Sequence, residues 1–199
     1  MLNPLEVNCY VLSCSESGVG VIIDPGAESQ EVISYVFEKQ ITPAMILNTH
    51  GHLDHVAGNR FFKEKFSIPI FIHGADAHLL QGDKTTMLAP LFPCYKGIQA
   101  DFYLSDNQEL EFGNCSLLVM ETPGHTQGSV SFLVENIVFC GDTLFRGSVG
   151  RADFSGGNAS QLITSITQRL LSLPDATQCY PGHGEQTTIG YERQNNPFL

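Results

Sequence analysis

The chain has 199 residues, 42% of them hydrophobic, enough to bury a substantial core in one large domain or two tightly fused halves. Ten Lys and Arg stand against 21 Asp and Glu, and the formal net charge of −11 argues against a nucleic-acid partner or an anionic membrane surface. No apolar run is long enough to span a bilayer and no charged-then-apolar leader opens the chain. The six cysteines lack C-x-x-C spacing, so the expectation is free thiols in a reducing, cytoplasmic setting.

Apolar runs at 7–12 and 19–23, separated by the turn-rich segment 13–18, predict an opening strand pair that ends in the turn residues Asp24-Pro25-Gly26. Val32, Ile33, Val36 and Phe37 form one face of a helix over about 29–39, which ends before Pro43. A buried strand at 44–47 leads into Thr49-His50-Gly51-His52-Leu53-Asp54-His55, after which Val56, Phe61, Phe62 and Phe66 recur at roughly helical spacing. The histidine cluster therefore falls where a strand ends and a helix begins. His50 and His52 point the same way in extended backbone, and Asp54 sits near the helix start, where exposed N–H groups favour an anion. Imidazoles and a carboxylate on one rim suit a borderline divalent ion such as zinc, iron or manganese.

A strand at 69–72 and a short helix at 75–80 come next. Residues 81–100 carry two prolines, two glycines and the exposed-looking Leu91, Phe92 and Tyr95, which predicts a long loop, either a cover over a site or a surface insertion. From Glu109 the chain reads as strands at 110–112, 116–120, 129–134 and 137–140. A glycine-rich stretch at 147–157, an amphipathic helix at 159–171 and a strand at 177–180 follow. No linker or repeat divides the chain, which reads as one domain over 1–199 built of two α/β halves packed sheet to sheet.

His125, Asp142 and His183 each occupy the first residues after a predicted strand, with glycine beside them, as the His50–His55 cluster does. Side chains at strand ends of both halves can converge on one crevice. Five of the seven histidines belong to this set; His73 and His78 read as structural or surface residues.

The four segments T-H-G-H-L-D-H, T-P-G-H-T, G-D-T-L-F and P-G-H-G resemble the metallo-β-lactamase superfamily in order and spacing across the chain. That resemblance implies an α/β fold, a four-layer αβ/βα sandwich of two mixed sheets flanked by helices, with a two-metal site between them. It implies that His50, His52 and His125 hold one divalent ion, that Asp54, His55 and His183 hold a second, and that Asp142 bridges both. Zinc is the foremost expectation, with iron or manganese admissible. The carboxylate at Asp142 argues against the true β-lactamases, and the low basic charge against the nuclease branch.

Within the superfamily, Gly150-Arg151-Ala152-Asp153 and the ending 188–199 are similar to small glyoxalase II-like hydrolases, usually described as hydroxyacylglutathione hydrolases. The implied reaction is hydrolysis of a small anionic thioester by a metal-activated water, with Asp54 and Asp142 directing the nucleophile. Two departures bear on the substrate. The two-domain enzymes carry a further C-terminal helical domain with basic glutathione contacts, and the expectation here is a single domain without it. They also place a lysine and a tyrosine where Arg151 and Asp153 stand here. The resemblance therefore supports thioester chemistry more than glutathione specificity. Arg151, on the glycine-rich loop beside Asp142, is the candidate anchor for a substrate carboxylate, against a plain ion pair with Asp153. The alternative readings are a mononuclear-iron persulfide dioxygenase, using His50, His125 and Asp142, and a non-enzymatic metal-binding protein.

Overall fold

The computed structural model describes residues 3, 5–82 and 88–199. Two β-sheets pack face to face. The first runs in the order β1 (Tyr10–Ser13), β2 (Val19–Ile23), β3 (Thr42–Leu47), β4 (Ile70–His73) and β5 (Phe102–Leu104). Only the β1–β2 pair is antiparallel; β2 to β5 run parallel. The second contains β6 (Glu109–Phe112), β7 (Cys115–Glu121), β8 (Val130–Val134), β9 (Ile137–Gly141), β12 (Gln178–Pro181) and β13 (Thr187–Thr188), in the order β13-β12-β9-β8-β7-β6. Between β9 and β12 a small hairpin forms from β10 (Leu144–Phe145) and β11 (Ser148–Val149).

The period-2 alternation of strand side chains sorts the apolar residues into three cores. Val21, Ile23 and Leu47 of the first sheet meet Leu117, Val119, Phe132 and Phe139 of the second in a core between the sheets. The intervening Ile22 and Ile46, with Ile70 and Ile72, face outward onto α1 (Gln30–Glu38) and α3 (Asn59–Phe66). On the far side Val138 and Cys140 pack beneath α4 (Ala159–Ser165) and α5 (Ile189–Asn195). Strands buried on both faces need continuous apolar sequence, which is why 19–23 and 44–47 read as unbroken runs. These layers are the αβ/βα sandwich.

Helix α1 starts where Ser29 accepts the Val32 N–H at 3.2 Å, as a capping hydroxyl should. Several boundaries differ from those read in the sequence. Of residues 7–12, only the last three join β1; Val7 instead makes an isolated bridge to His183. The segment 75–80 is not one helix but two 3₁₀ turns, Gly74–Asp76 and Leu79–Gln81. The predicted helix over 159–171 is α-helical only to Ser165. It then widens into a π turn over Ile166–Leu170, which the Leu171 N–H closes on the Ile166 carbonyl at 2.8 Å. Strand β5 has no counterpart in the predicted elements.

Part of the long loop, 83–87, lies outside the described residues. Its remainder holds a short turn at Ala89–Leu91, and Leu91 is exposed as predicted. Tyr95 is not: its hydroxyl donates to the Leu80 carbonyl at 2.8 Å and its ring packs on the outer core. All six cysteines are free thiols. No helix among the described residues is long and apolar enough to cross a membrane.

Candidate metal centre

Strands β3, β7, β9 and β12 all end on one rim of the sandwich, and each delivers site residues within a few positions of its last residue. The loop after β3 carries His50 and His52 and runs into the one-turn helix α2 (Leu53–Val56), which contributes Asp54 and His55. His125 follows β7, Asp142 follows β9 and His183 follows β12. All seven residues predicted as metal ligands meet there.

They form two groups. In the first, His52 Nδ1 lies 3.1 Å from His50 Nε2 and 2.9 Å from His125 Nε2, so three imidazole nitrogens converge on one point. In the second, His183 Nε2 lies 3.3 Å from His55 Nε2 and 3.2 Å from Asp54 Oδ2. Asp142 stands between them, with Oδ1 3.4 Å from His55 Nε2 and Oδ2 3.7 Å from both His125 Nε2 and His183 Nε2.

The opposite ring nitrogens are already engaged, which settles the tautomers. His125 Nδ1 donates to the Arg151 carbonyl at 2.6 Å, and His183 Nδ1 to the Leu5 carbonyl at 2.9 Å. His55 Nδ1 donates to Asp24 Oδ2 at 3.0 Å. Thr49 Oγ1 donates to Asp24 Oδ2 at 2.5 Å and so accepts from His50 Nδ1 at 3.1 Å. Each of these four rings therefore presents a lone pair at Nε2 to the centre. The loop that carries His183 is tied to the start of the chain: the Asn8 N–H donates to the Gly182 carbonyl at 2.7 Å, and Tyr10 Oη to the Pro181 carbonyl at 2.6 Å.

The electrostatics match a cation site. Burial and the surrounding imidazoles lower the pKa of His50 well below the ordinary histidine value, and burial with His125 takes His52 down to about 4. Both are neutral, lone-pair ligands at pH 7. Burial also acts to lower His55, but the carboxylates of Asp142, Asp54 and Asp24 outweigh it and hold His55 well above its usual value. Burial would raise Asp54 and Asp142, yet His55 and its imidazole neighbours keep both below the usual carboxylate range. Oxygen atoms Asp54 Oδ1 and Asp142 Oδ1 are buried with no hydrogen-bond partner. Orphaned anionic acceptors facing lone-pair nitrogens are costly unless a cation joins them, so the residues present fit divalent metal.

Sequence reading missed Asp24, which accepts the Thr49 N–H at 2.8 Å as well as orienting His55. It was read only as turn chemistry, although it too is the first residue after a strand, and its φ of 48° is a conformation non-glycine residues rarely adopt. Arg151 donates to Asp153 at 2.9 and 2.8 Å, and its guanidinium lies 4.3 Å over the Phe154 ring. Phe154 in turn stands edge-on to His52 at 5.5 Å, which puts Arg151 beside the first group rather than in it. His73 stays outside the centre, its Nε2 donating to Glu121 Oε1 at 3.1 Å while Nδ1 accepts the Ala75 N–H. His78 is exposed. His78→Gln is expected to leave metal content and turnover unchanged, which elemental analysis and a rate assay on the variant check.

A cavity of about 360 Å³ opens beside Leu53, the residue between His52 and Asp54. The loop residues Ala89, Pro90, Phe92, Pro93 and Tyr95 line it, and none of the seven ligand residues does.

The family profile of the metallo-beta-lactamase superfamily matches residues 2–183, and the chain belongs to that superfamily of metal-binding hydrolases. Among curated relatives it is 37% identical to the probable metallo-hydrolase YqgX of Bacillus subtilis, covering 100% of this chain and 94% of that protein. It is 34% identical to the hydroxyacylglutathione hydrolase GloC of Haemophilus influenzae, covering 98% and 93%.

Among solved structures it is similar to the B3 metallo-beta-lactamase BLEG-1, with TM-score 0.92 and 37% identity over 100% of this chain and 96% of that one. A di-iron-bound form of TTHA1623 superposes with TM-score 0.89 at 37% identity, covering 100% and 98%. ETHE1 from Myxococcus xanthus does so with TM-score 0.82 at 30% identity, covering 97% and 79%. BLEG-1 is itself described as a beta-lactamase, so the comparisons do not support the exclusion of β-lactam substrates read from Asp142.

Proposed function

We propose that the protein is a two-metal thioester hydrolase acting in the cytoplasm on an S-2-hydroxyacylglutathione, S-lactoylglutathione foremost, and releasing a hydroxy acid and a thiol. Zinc is the proposed resident ion, with iron or manganese admissible. The observation that carries the reading is the completeness of the second group: Asp54, His55 and His183 converge beside His50, His52 and His125, with Asp142 between. The likeness to GloC, itself described as a hydroxyacylglutathione hydrolase, supports the substrate class.

His50, His52 and His125 would hold one ion, Asp54, His55 and His183 the other, and Asp142 both. Bound there, such ions acidify water towards neutral pKa and polarise a carbonyl oxygen. Asp54 and Asp142 set the direction of attack: Asp54 Oδ2 lies 3.2 Å from His183 Nε2 and Asp142 Oδ1 3.4 Å from His55 Nε2, inside the centre. Asp24 holds the His55 ring and the Leu5 carbonyl holds His183, so neither ligand reorients during turnover. A thiolate leaving group is stable enough to depart without a general acid, and the mechanism assigns none. Arg151, stacked on Phe154 beside the first group, is the proposed contact for a substrate carboxylate. The cavity beside Leu53 offers an apolar wall to the rest of the substrate.

The persulfide dioxygenase reading draws on the likeness to ETHE1, but a lone iron on His50, His125 and Asp142 leaves the second group without a role. The test runs two assays on one preparation. Under strict anaerobiosis, S-lactoylglutathione should yield one thiol per acid, and His183→Ala should abolish most of that rate. Oxygen uptake with glutathione persulfide, without thiol release from thioesters, would establish the oxygenase instead.

A further inference from the structure

Asp76 is a buried carboxylate, 1% exposed, that the proposed chemistry does not use. It sits at the end of the 3₁₀ turn after β4, outside every motif of the metal centre. Yet its three donors belong to the loops that carry the first ligand group. Oδ2 accepts the Gly51 N–H at 2.9 Å and the Thr126 hydroxyl at 2.7 Å, and Oδ1 accepts the Gly128 N–H at 2.8 Å. Gly51 lies between His50 and His52, and Thr126 follows His125. One carboxylate thus ties the loop from the first sheet to the loop from the second, at the point where their three imidazoles must meet.

The approach is close enough to restrict the sequence. A Cβ at Gly128 would lie 2.7 Å from Asp76 Oδ1, so that position takes no side chain while Asp76 keeps its place. Thr126 Oγ1 is also 2.7 Å from Ser129 Oγ, which keeps the His125 loop folded upon the carboxylate. Asp24 supports both groups, holding His55 directly and His50 through the Thr49 hydroxyl, but it makes no hydrogen bond to Gly51, Thr126 or Gly128 and does not tie the His125 loop. Loss of an outer partner that fixes ligand positions typically costs about 10- to 100-fold in metal affinity.

We infer that Asp76 is the positioning residue of the first metal site: it sets the separation of the His50–His52 and His125 loops and thereby the affinity of that site alone. The inference rests on the two-ion reading of the centre, which the wild-type titration below tests by itself. Ligation at either site is first isolated: His183→Ala disables the second group, and His52→Ala disables the first. Zinc is then titrated into the metal-free full-length proteins, with and without Asp76→Asn.

Asparagine keeps the shape but turns an N–H₂ towards at least one of the three donors. In the His183→Ala background it should weaken zinc binding about 10- to 100-fold. In the His52→Ala background the affinity should stay within about twofold, since none of the three donors to Asp76 adjoins Asp54, His55 or His183 in the chain. Equal weakening in both backgrounds, or none in either, would overturn the assignment. If Asp76→Asn does not fold, Thr126→Val removes a single donor. It should show the same selectivity with a smaller loss, and unchanged affinity at the first site would reject the inference. Uptake of fewer than two ions by the wild type would instead count against the two-ion centre, whatever the variants do.

Discussion

Asp142→Asn is expected to leave the fold intact and to cut hydrolytic turnover by roughly 10²–10⁴, the scale seen when a positioned catalytic group is removed. Asparagine has nearly the volume of aspartate, and the side chain sits at the end of β9 without contributing to a hydrophobic core. What changes is charge. The carboxylate lies within 3.4–3.7 Å of ligand atoms from both groups and carries one of the two orphaned buried oxygens. Neutralising it removes the anion placed between two cations and replaces one acceptor with a donor that no neighbour needs. Steady-state rates on thioester, with metal content measured on the same sample, check the outcome. Near-normal turnover with two ions bound would show that Asp142 does not bridge.

Gly182→Ala should be comparably damaging although it adds one methyl group and removes no ligand. A Cβ there would lie 2.2 Å from Asp142 Oδ1 and 2.6 Å from His55 Cε1. The backbone cannot retreat, because the Gly182 N–H donates to the Gly141 carbonyl at 2.8 Å and its carbonyl accepts the Asn8 N–H at 2.7 Å. The ligands must move instead, and a displacement of about 1 Å in a reacting array costs on the order of 10² in rate. Loss of turnover together with weaker binding of the second ion is the expected pair of results. Full activity would mean that Asp142 and His55 tolerate rearrangement, and the close-packed picture of the centre would fail.

Much of this centre was legible because its residues obey a positional rule. His50, His125, Asp142 and His183 follow buried apolar runs and have glycine close by, so strand ends and ligands could be read together. Asp24 obeys the same rule and was still passed over, since Asp-Pro-Gly also spells a turn and carries no histidine to draw notice. Asp76 left no signal: its role depends on where a 3₁₀ turn lands after β4, and that turn was read as part of a short helix. Strand β5 was missed because it has three residues, two of them exposed, and lacks the double-sided burial that marks β2 and β3. The π turn after Ser165 keeps Ile166 and Leu170 buried, so the apolar face persists and sequence spacing cannot reveal the change in winding.

The long loop packs beside Leu53, and Arg151 stands on the glycine-rich segment after Asp142. On the proposed reading, substrate preference would reside in loops that the strands merely hold, as is usual where a rigid scaffold supports variable connections. The proposed hydrolysis depends on a centre that binds two ions. The direct measurement is elemental analysis of the native protein after mild reloading, with protein quantified on the same sample. The account predicts close to two transition-metal ions per chain; saturation at one would contradict it.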